Sequence, residues 1–138
     1  GIYGPGRHFL LNRLRGGQTA FSGSAERHSN LIFRDDIVSA ILNLFGNPPE
    51  APARVYNLSD GNPAPRGEIL NWLADRLGIV RPTFNPEKAA PGPGFRGPVP
   101  DRRIDNSRLQ RETGWNPAFP SYREGYESIL SREGMEPD

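Results

Sequence analysis

Glycine and proline interrupt this sequence so often that it can fold only as a series of short elements. Together they supply 16 Gly and 15 Pro among 138 residues. Between them, five segments carry apolar side chains three and four positions apart, the spacing of one helix face. Helices are therefore predicted at residues 8–17, about 35–46, 67–78, about 106–114 and from 121 onward. The first four end at a glycine, which leaves the helical conformation easily.

Each predicted helix has an apolar face that we expect to be buried. These faces consist of Leu10, Leu11 and Leu14; Ile37, Ala40, Ile41, Leu44 and Phe45; Ile69, Trp72, Leu73 and Leu77; Leu109; and Tyr122, Tyr126, Ile129 and Leu130. Asp35 or Asp36 directly precedes the second helix, which favours N-capping over acid–base or metal chemistry. Ser121 and Glu124 form a capping box.

Short apolar runs between the helices indicate strands and hence an α/β fold. Residues 30–33 and 54–58 have strand composition, and Gly1, Ile2 and Tyr3 look like the end of a third strand. A strand ending at Tyr3 is expected to begin before Gly1, as in a chain cut inside an element. Residues 81–100 hold six prolines and three glycines and predict a long loop, either a lid or a mobile segment.

Composition argues against several kinds of partner. With 17 basic and 16 acidic residues, the net charge of +1 offers no field for nucleic acid or an anionic membrane. No apolar run approaches the ~20 residues of a membrane helix. No cysteine is present and the histidines are only two, so no metal is expected. A soluble, cytoplasmic domain or fragment is predicted over residues 1–138.

The first seven residues, GIYGPGR, suggest a phosphate-binding loop. A dinucleotide loop has the spacing G-x-G-x-x-G, whereas this one has G-x-x-G-x-G. Pro5 removes a backbone donor, and Glu26, the acid at the expected distance, precedes the strand at 30–33 instead of ending one. A turn between a strand and a helix, built of small residues, is the better interpretation.

Four motifs in order resemble the C-terminal part of an extended or atypical short-chain dehydrogenase/reductase of the NAD-dependent epimerase/dehydratase family. They are GIYGPGR, NLIFRDDIVSAIL, RVYNLSDGNPAPRGEILNWLADRLG and RRIDNSRLQRETGWNPAFPSYREGY. The resemblance covers nearly the whole chain. It implies the C-terminal portion of a Rossmann-type, doubly wound fold, without the N-terminal half that binds NAD(P). In that family the GIYGPG segment lines the substrate and nicotinamide end of the cleft.

The resemblance also implies which residues face the ligands. The cofactor side would be formed by Gly1, Ile2 and Tyr3. The substrate side would be formed by Tyr3, Arg7, Arg34 and Arg96. Relatives that act on nucleotide sugars carry an arginine where this chain has Leu31, and this departure argues against a nucleoside diphosphate sugar as the substrate.

The catalytic pair of the family is missing from this sequence. That pair is Tyr-x-x-x-Lys, in which the tyrosine moves a proton while the nicotinamide carries hydride. The only lysine is Lys88, and Phe84 stands four residues before it. No catalytic residue is therefore expected in this chain. NAD or NADP is implied for an intact parent protein, but neither is expected to bind this chain alone.

Two functions follow from the resemblance. The first is the substrate-binding C-terminal part of an NAD(P)-dependent epimerase, dehydratase or reductase that acts on a sugar-like or small hydroxylated substrate. The alternative is a non-catalytic module of the same ancestry that senses a ligand or binds a protein. In both cases the expected protein partner is the missing N-terminal half or a second copy of the chain.

Overall fold

Five helices and six short strands make up a mixed α/β structure in the computed structural model, which describes residues 1–50, 55–88 and 100–134. The helices are α1 (Phe9–Arg15), α2 (Arg34–Gly46), α3 (Arg66–Leu77), α4 (Ser107–Thr113) and α5 (Tyr122–Glu133). The strands are β1 (Ile2–Tyr3), β2 (Ala20–Ser22), β3 (His28–Ser29), β4 (Ile32–Phe33), β5 (Ala64–Pro65) and β6 (Thr83–Asn85). The predicted α/β class and the five helices are confirmed.

The chain divides into two units, each assembled from separate stretches. Unit 1 comprises Gly1–Arg7, Asn30–Pro63 and Ile104–Asp138. Unit 2 comprises His8–Ser29 and Ala64–Arg103. That residues 1–138 form one substrate-side domain or fragment stays a prediction.

Unit 1 is built on the parallel pair β1 and β4, in which Ile2 lies opposite Ile32 and Tyr3 opposite Phe33. α2 follows β4 without a linker. A core cluster contains Ile32, Ala40, Leu109 and Trp115, with Ile37, Leu44, Tyr56 and Leu58 packed against it. The Trp115 indole also donates to Ser39 Oγ at 2.9 Å.

Asp36 is not an N-cap, and the predicted start of α2 is wrong. The helix begins at Arg34, and Phe33 occupies the cap position without a side-chain hydrogen bond. Asp36 is 1% exposed. Its two carboxylate oxygens accept hydrogen bonds from the backbone amides of Ala118 (2.7 Å) and Phe119 (3.0 Å). The carboxylate satisfies a distant loop, a role that local sequence cannot reveal. Both aspartates still lie in the first turn, where the helix dipole favours negative charge.

The predicted core face of α2 is only partly correct. Ala40 is buried and Ile37 and Leu44 are partly buried, but Ile41 is 47% and Phe45 81% exposed. Together with Val38 and Leu42 they form an exposed apolar stripe at positions i, i+3, i+4 and i+7. This α2 stripe consists of Val38, Ile41, Leu42 and Phe45.

Unit 2 contains two further strand pairs. β2 pairs with β6 in parallel, and β3 pairs with β5 in antiparallel register. α1 packs against α3. The fully or nearly fully buried apolar residues of this unit include Leu11, Leu14, Phe21, Ile69, Leu70, Leu73 and Ala74. Leu10, Trp72 and Leu77, predicted to be buried, are only partly so.

Several strand predictions are wrong. The loop predicted at residues 81–100 begins with β6 and a 3-10 turn, Pro86–Lys88, because β6 is fixed by β2; residues 89–99 lie outside the described residues. Residues 55–58 form no strand, and residue 54 is not described. The strand predicted at 30–33 is reduced to β4.

The predicted boundaries at the C-terminal helices are confirmed. α4 ends at Gly114, which has a left-handed φ of 70°. Ser121 caps α5, and its Oγ accepts from the Arg123 amide at 3.2 Å and donates to Glu124. Tyr122, Tyr126 and Ile129 are buried as predicted, whereas Leu130 is only partly buried.

None of the helices in the described part of the chain is long and apolar enough to cross a membrane.

Replacing Asp36 should destabilise unit 1 strongly. Asp36→Ala leaves the amides of Ala118 and Phe119 without their charged acceptor, so we expect the free energy of unfolding to fall by about 2–4 kcal/mol. Urea denaturation measures this change. Asp35→Ala is the matched control, since Asp35 only pairs with Arg34 at the surface, and it should change stability by less than about 0.5 kcal/mol. If both variants lost the same free energy of unfolding, the two aspartates would act only through the helix dipole, and the contacts of Asp36 to Ala118 and Phe119 would not explain its effect.

The α2 stripe should cause the isolated chain to associate. Four exposed apolar side chains on one helix face form a contiguous patch that favours burial against another polypeptide. Light scattering should show species larger than a monomer, and the double change Leu42→Ser with Phe45→Ser should shift them toward the monomer. Val55→Ser removes an apolar side chain that is 83% exposed outside the stripe and should have no such effect. A monomer with cooperative thermal unfolding would contradict this prediction.

Candidate functional site

The GIYGPGR segment forms a tight turn directly after β1. The amide of Gly4 donates to the carbonyl of Arg7, and the amide of Arg7 donates to the carbonyl of Gly4, both at 2.9 Å. Pro5 and Gly6 occupy the two central positions, and Gly6 has a φ of 74°. Proline followed by a residue with positive φ is the pattern of a type II turn, which requires glycine at the second position.

The hydrogen bonds of this turn decide whether it can hold a pyrophosphate. A phosphate cradle needs several backbone amides aimed at the ligand. The amides of Gly4 and Arg7 are already used inside the turn, and Pro5 has none. Of these four residues only Gly6 keeps an amide for a ligand. The interpretation of the segment as a structural turn is therefore supported by its geometry.

Arg34 lies against this turn. β1 and β4 are parallel, so both strands end at the same edge of the pair, where Gly4 follows β1 and Arg34 follows β4. A Cβ on Gly4 would lie 3.0 Å from the Cβ of Arg34, so the two backbones approach closely. Arg34 Nη1 donates to the carbonyl of Pro5 at 3.2 Å, and its Nε donates to Asp35 at 3.0 Å.

Two of the four predicted substrate residues are thus placed at one edge. The Arg34 side chain is 50% exposed, and Arg7 is exposed within the turn itself. Both guanidinium groups can reach solvent, where they could hold an anion or several hydroxyl groups. Arg96, the third predicted arginine, lies outside the described residues.

Tyr3, the fourth of the predicted substrate residues, has its side chain in the core of unit 1. It is 3% exposed, with its ring centre 5.3 Å from that of Phe33 and 4.7 Å from that of Tyr126. Its hydroxyl donates to the carbonyl of Ser121 at 3.3 Å. Burial, assisted by the charge of Asp60, raises the pKa of Tyr3 far above its usual range. The hydroxyl is therefore a permanent donor with a structural role, and a ligand could meet only the backbone here.

Close packing around Tyr3 depends on a glycine in α5. A Cβ on Gly125 would lie 2.0 Å from the Tyr3 hydroxyl oxygen, closer than any real contact. The other two predicted cofactor residues, Gly1 and Ile2, are exposed, Ile2 by 48%. In β1, the Tyr3 side chain is therefore buried and Ile2 is exposed to solvent.

Asp60 is a buried acid that the sequence did not single out. It is 3% exposed, and its backbone amide donates to the carbonyl of Leu31 at 2.7 Å. Burial raises the pKa of its carboxyl to about 6, although the hydrogen bond from the Asn62 amide opposes the shift. The letters SDGN are typical of a turn in which an aspartate accepts from the amide two residues on. That pattern indicates the turn, but not the burial.

Chemically, this edge of unit 1 is suited to binding an anionic or hydroxylated group. Arg7 and Arg34 supply positive charge, whereas the tyrosine is buried. Within residues 1–50, 55–88 and 100–134, no group of three or more His, Asp or Glu is placed to hold a metal ion. Leu31, where the resemblance implies an arginine in proteins that act on nucleotide sugars, is 9% exposed and offers no charge.

Comparison with known proteins finds likeness in structure. No protein-family model matches the sequence, and no curated protein matches it either. Among solved structures, a functionally unknown conserved protein from Silicibacter pomeroyi is 26% identical, with a TM-score of 0.78 over 96% of this chain and 46% of its own. The UDP-glucose 4-epimerase of Thermotoga maritima, solved with UDP-glucose, is 23% identical, with a TM-score of 0.70 over 98% of this chain and 44% of its own.

A dTDP-glucose 4,6-dehydratase from Bacillus anthracis, solved with NAD, is 17% identical, with a TM-score of 0.70 over 99% of this chain and 43% of its own. This chain thus spans less than half the length of the structures that it matches. The resemblance predicted from the four motifs is confirmed at the level of the fold. The chain has the fold of the C-terminal part of NAD-dependent epimerases and dehydratases, enzymes of the Rossmann class.

Proposed function

We propose that this chain forms the substrate-side wall of the cleft in an NAD(P)-dependent epimerase, dehydratase or reductase. The remainder of that cleft, with the dinucleotide loop and the catalytic Tyr-x-x-x-Lys pair, would belong to a preceding part of the protein. In this proposal the chain binds and orients substrate and excludes water, while hydride moves between substrate and nicotinamide.

The position of the turn at residues 4–7, here called the GPGR turn, carries this proposal. In open parallel sheets, ligands bind outside the carboxyl ends of the strands. β1 and β4 are parallel, and the turn and Arg34 lie together at their carboxyl ends. The solved structures of similar fold that contain NAD or UDP-glucose support the same assignment.

Arg34 and Arg7 favour a substrate that is anionic or carries several hydroxyl groups. A guanidinium donates in a planar fork and can bind two oxygens at once. Leu31 is nearly buried and uncharged at the position where the family resemblance implies an arginine for nucleotide sugars. We therefore place the substrate among sugar-like or other small hydroxylated molecules.

The residues present do not fit a whole dinucleotide. The turn uses two of its amides internally, so it has no cradle for the pyrophosphate. The exposed backbone of Gly1 and Ile2 could at most contact the nicotinamide end. The chain accordingly depends on another part of the protein for cofactor affinity.

The isolated 138-residue chain should bind NAD, NADP and their reduced forms no more tightly than a Kd of about 10 µM, which corresponds to about 7 kcal/mol. The reason is the missing pyrophosphate cradle. Calorimetric titration of the chain tests this, with a longer protein that carries it titrated in parallel. Tight binding to the 138 residues alone would contradict the proposal. Absence of binding by both proteins would instead favour a non-catalytic module.

Arg34→Ala should weaken catalysis by the intact protein. Loss of a charge-assisted hydrogen bond costs about 1.5–3 kcal/mol, so we expect kcat/KM to fall about 10- to 150-fold. Arg34→Lys should restore only part of this, because an ammonium lacks the planar fork. The measurement is the rate of product formation, followed by chromatography, with a panel of sugars, sugar acids and nucleotide sugars.

The matched control for this experiment is Arg108→Ala, an exposed arginine on α4, which should leave kcat/KM within about twofold. Arg96→Ala provides the competing placement. If Arg96→Ala lowers kcat/KM while Arg34→Ala does not, the anion contact belongs to the proline-rich segment and the turn is not the binding edge.

A further inference from the structure

Three arginines of unit 2 lie near one another, and two of them lie over the ring of one phenylalanine. The guanidinium carbon of Arg13, on α1, lies 4.8 Å from the ring centre of Phe21, and that of Arg66, the first residue of α3, lies 5.2 Å from it. These two carbons are therefore at most about 10 Å apart. The carbonyl of Arg27 accepts from the amide of Arg66 at 2.9 Å, which places the third arginine beside the second.

The hydrogen-bond acceptors that the structure describes for the side chains of Arg13 and Arg66 are not acidic. Arg66 Nη1 donates to the carbonyl of Ser22 at 2.7 Å, and Arg13 Nε donates to the Gln18 side chain. Both acceptors are uncharged, and a guanidinium has five N–H donors. Most of the donors in the cluster are therefore available to another molecule.

The cluster carries an electrostatic cost in the absence of an anion. Burial lowers the pKa of the Arg66 guanidinium, and the charges of Arg13 and Arg27 lower it further. The positive end of the α3 dipole adds to the same field. A bound anion would offset this cost by adding an attraction to the guanidinium groups.

The distribution of charge along the sequence agrees with this picture. Unit 2 contains ten Lys and Arg but only five Asp and Glu, whereas unit 1 contains seven and eleven. The net charge of +1 thus conceals a basic unit and an acidic unit.

We propose that Arg13, Arg27 and Arg66 form a binding site for a phosphate group, either free phosphate or a phosphate monoester. A phosphate dianion offers oxygens in several directions and can pair with guanidinium groups on different sides of it better than a carboxylate can. This site lies in unit 2, away in sequence from the GPGR turn and Arg34. It stands whether or not the chain belongs to an oxidoreductase.

Calorimetric titration of the 138-residue chain with inorganic phosphate, glycerol phosphate and acetate tests the proposal. We expect both phosphates to bind more tightly than acetate, with affinity falling as salt is added. The stronger of the two phosphates identifies free phosphate or a monoester as the natural ligand class. Equal affinity for acetate, or no phosphate binding at low salt, would overturn the proposal.

Variants show whether phosphate binds at the arginine cluster or is attracted by the overall charge of unit 2. Arg66→Gln and Arg27→Gln should each weaken phosphate binding about 10- to 150-fold. Arg81→Gln removes the same charge from an exposed arginine of unit 2 that already pairs with Asp75 at 2.7 Å, and it should have little effect. A comparable loss in Arg81→Gln would assign the binding to overall charge and contradict a built site.

Arg27→Gln also guards against misfolding. The Arg27 side chain makes no hydrogen bond or ring contact among the described residues, so it contributes charge alone. Without phosphate, this variant should keep or raise the Tm of the chain, because repulsion is relieved. With phosphate, its Tm should rise less than that of the unmodified chain. A lower Tm in both conditions would indicate a structural role and overturn the assignment.

Discussion

The parallel pairing of β1 with β4 is the constraint on which unit 1 depends. Each strand has two residues, and the amide of Ile32 donates a hydrogen bond to the carbonyl of Gly1 at 2.9 Å. So short a pair is marginal by itself. It is stabilised by aromatic packing: the Tyr3 and Phe33 rings meet edge to face with their centres 5.3 Å apart, and the ring centre of Phe33 lies 4.0 Å from that of Phe119. Asp36, in the first turn of α2, then accepts a hydrogen bond from the Phe119 amide and so fixes the loop that carries this residue.

This pairing also explains why the binding edge is made of residues far apart in sequence. Gly4 and Arg34 become neighbours only because both follow strands that end at the same level. The guanidinium of Arg34 then closes onto the carbonyl of Pro5. The side chain of Tyr3 supports the edge from within, and Gly125 provides the space that its hydroxyl needs. Structural and ligand-facing roles are thus divided between the two sides of β1.

The helices could be predicted because their signals are local in the sequence. Most strands could not, because they depend on pairing with residues far away in the sequence. Gly78 and Gly114 end α3 and α4 with left-handed φ values of 66° and 70°, a conformation that glycine adopts easily and that its presence in the sequence therefore predicts. β6 instead exists because Phe84 and its neighbours meet β2, some sixty residues earlier, and its own sequence looks like loop. The site divides in the same way. The turn at Pro5 and Gly6 could be predicted from residue type, but the burial of Asp60 and the approach of Arg66 to Phe21 arise only from tertiary contacts.

The buried Asp60 couples the folding of unit 1 to proton uptake. Its carboxyl has a pKa of about 6 in the folded chain against 3.8 when unperturbed, so between these values the folded state holds a proton that the unfolded state has released. The stability contributed by this group is therefore greatest in acid and falls as pH rises toward about 6. Above that pH the loop that binds the carbonyl of Leu31 carries a buried charge. Asp60→Asn would remove this slope from a plot of unfolding free energy against pH. The strand that leads to Arg34 is thus tied to a loop whose stability depends on protonation.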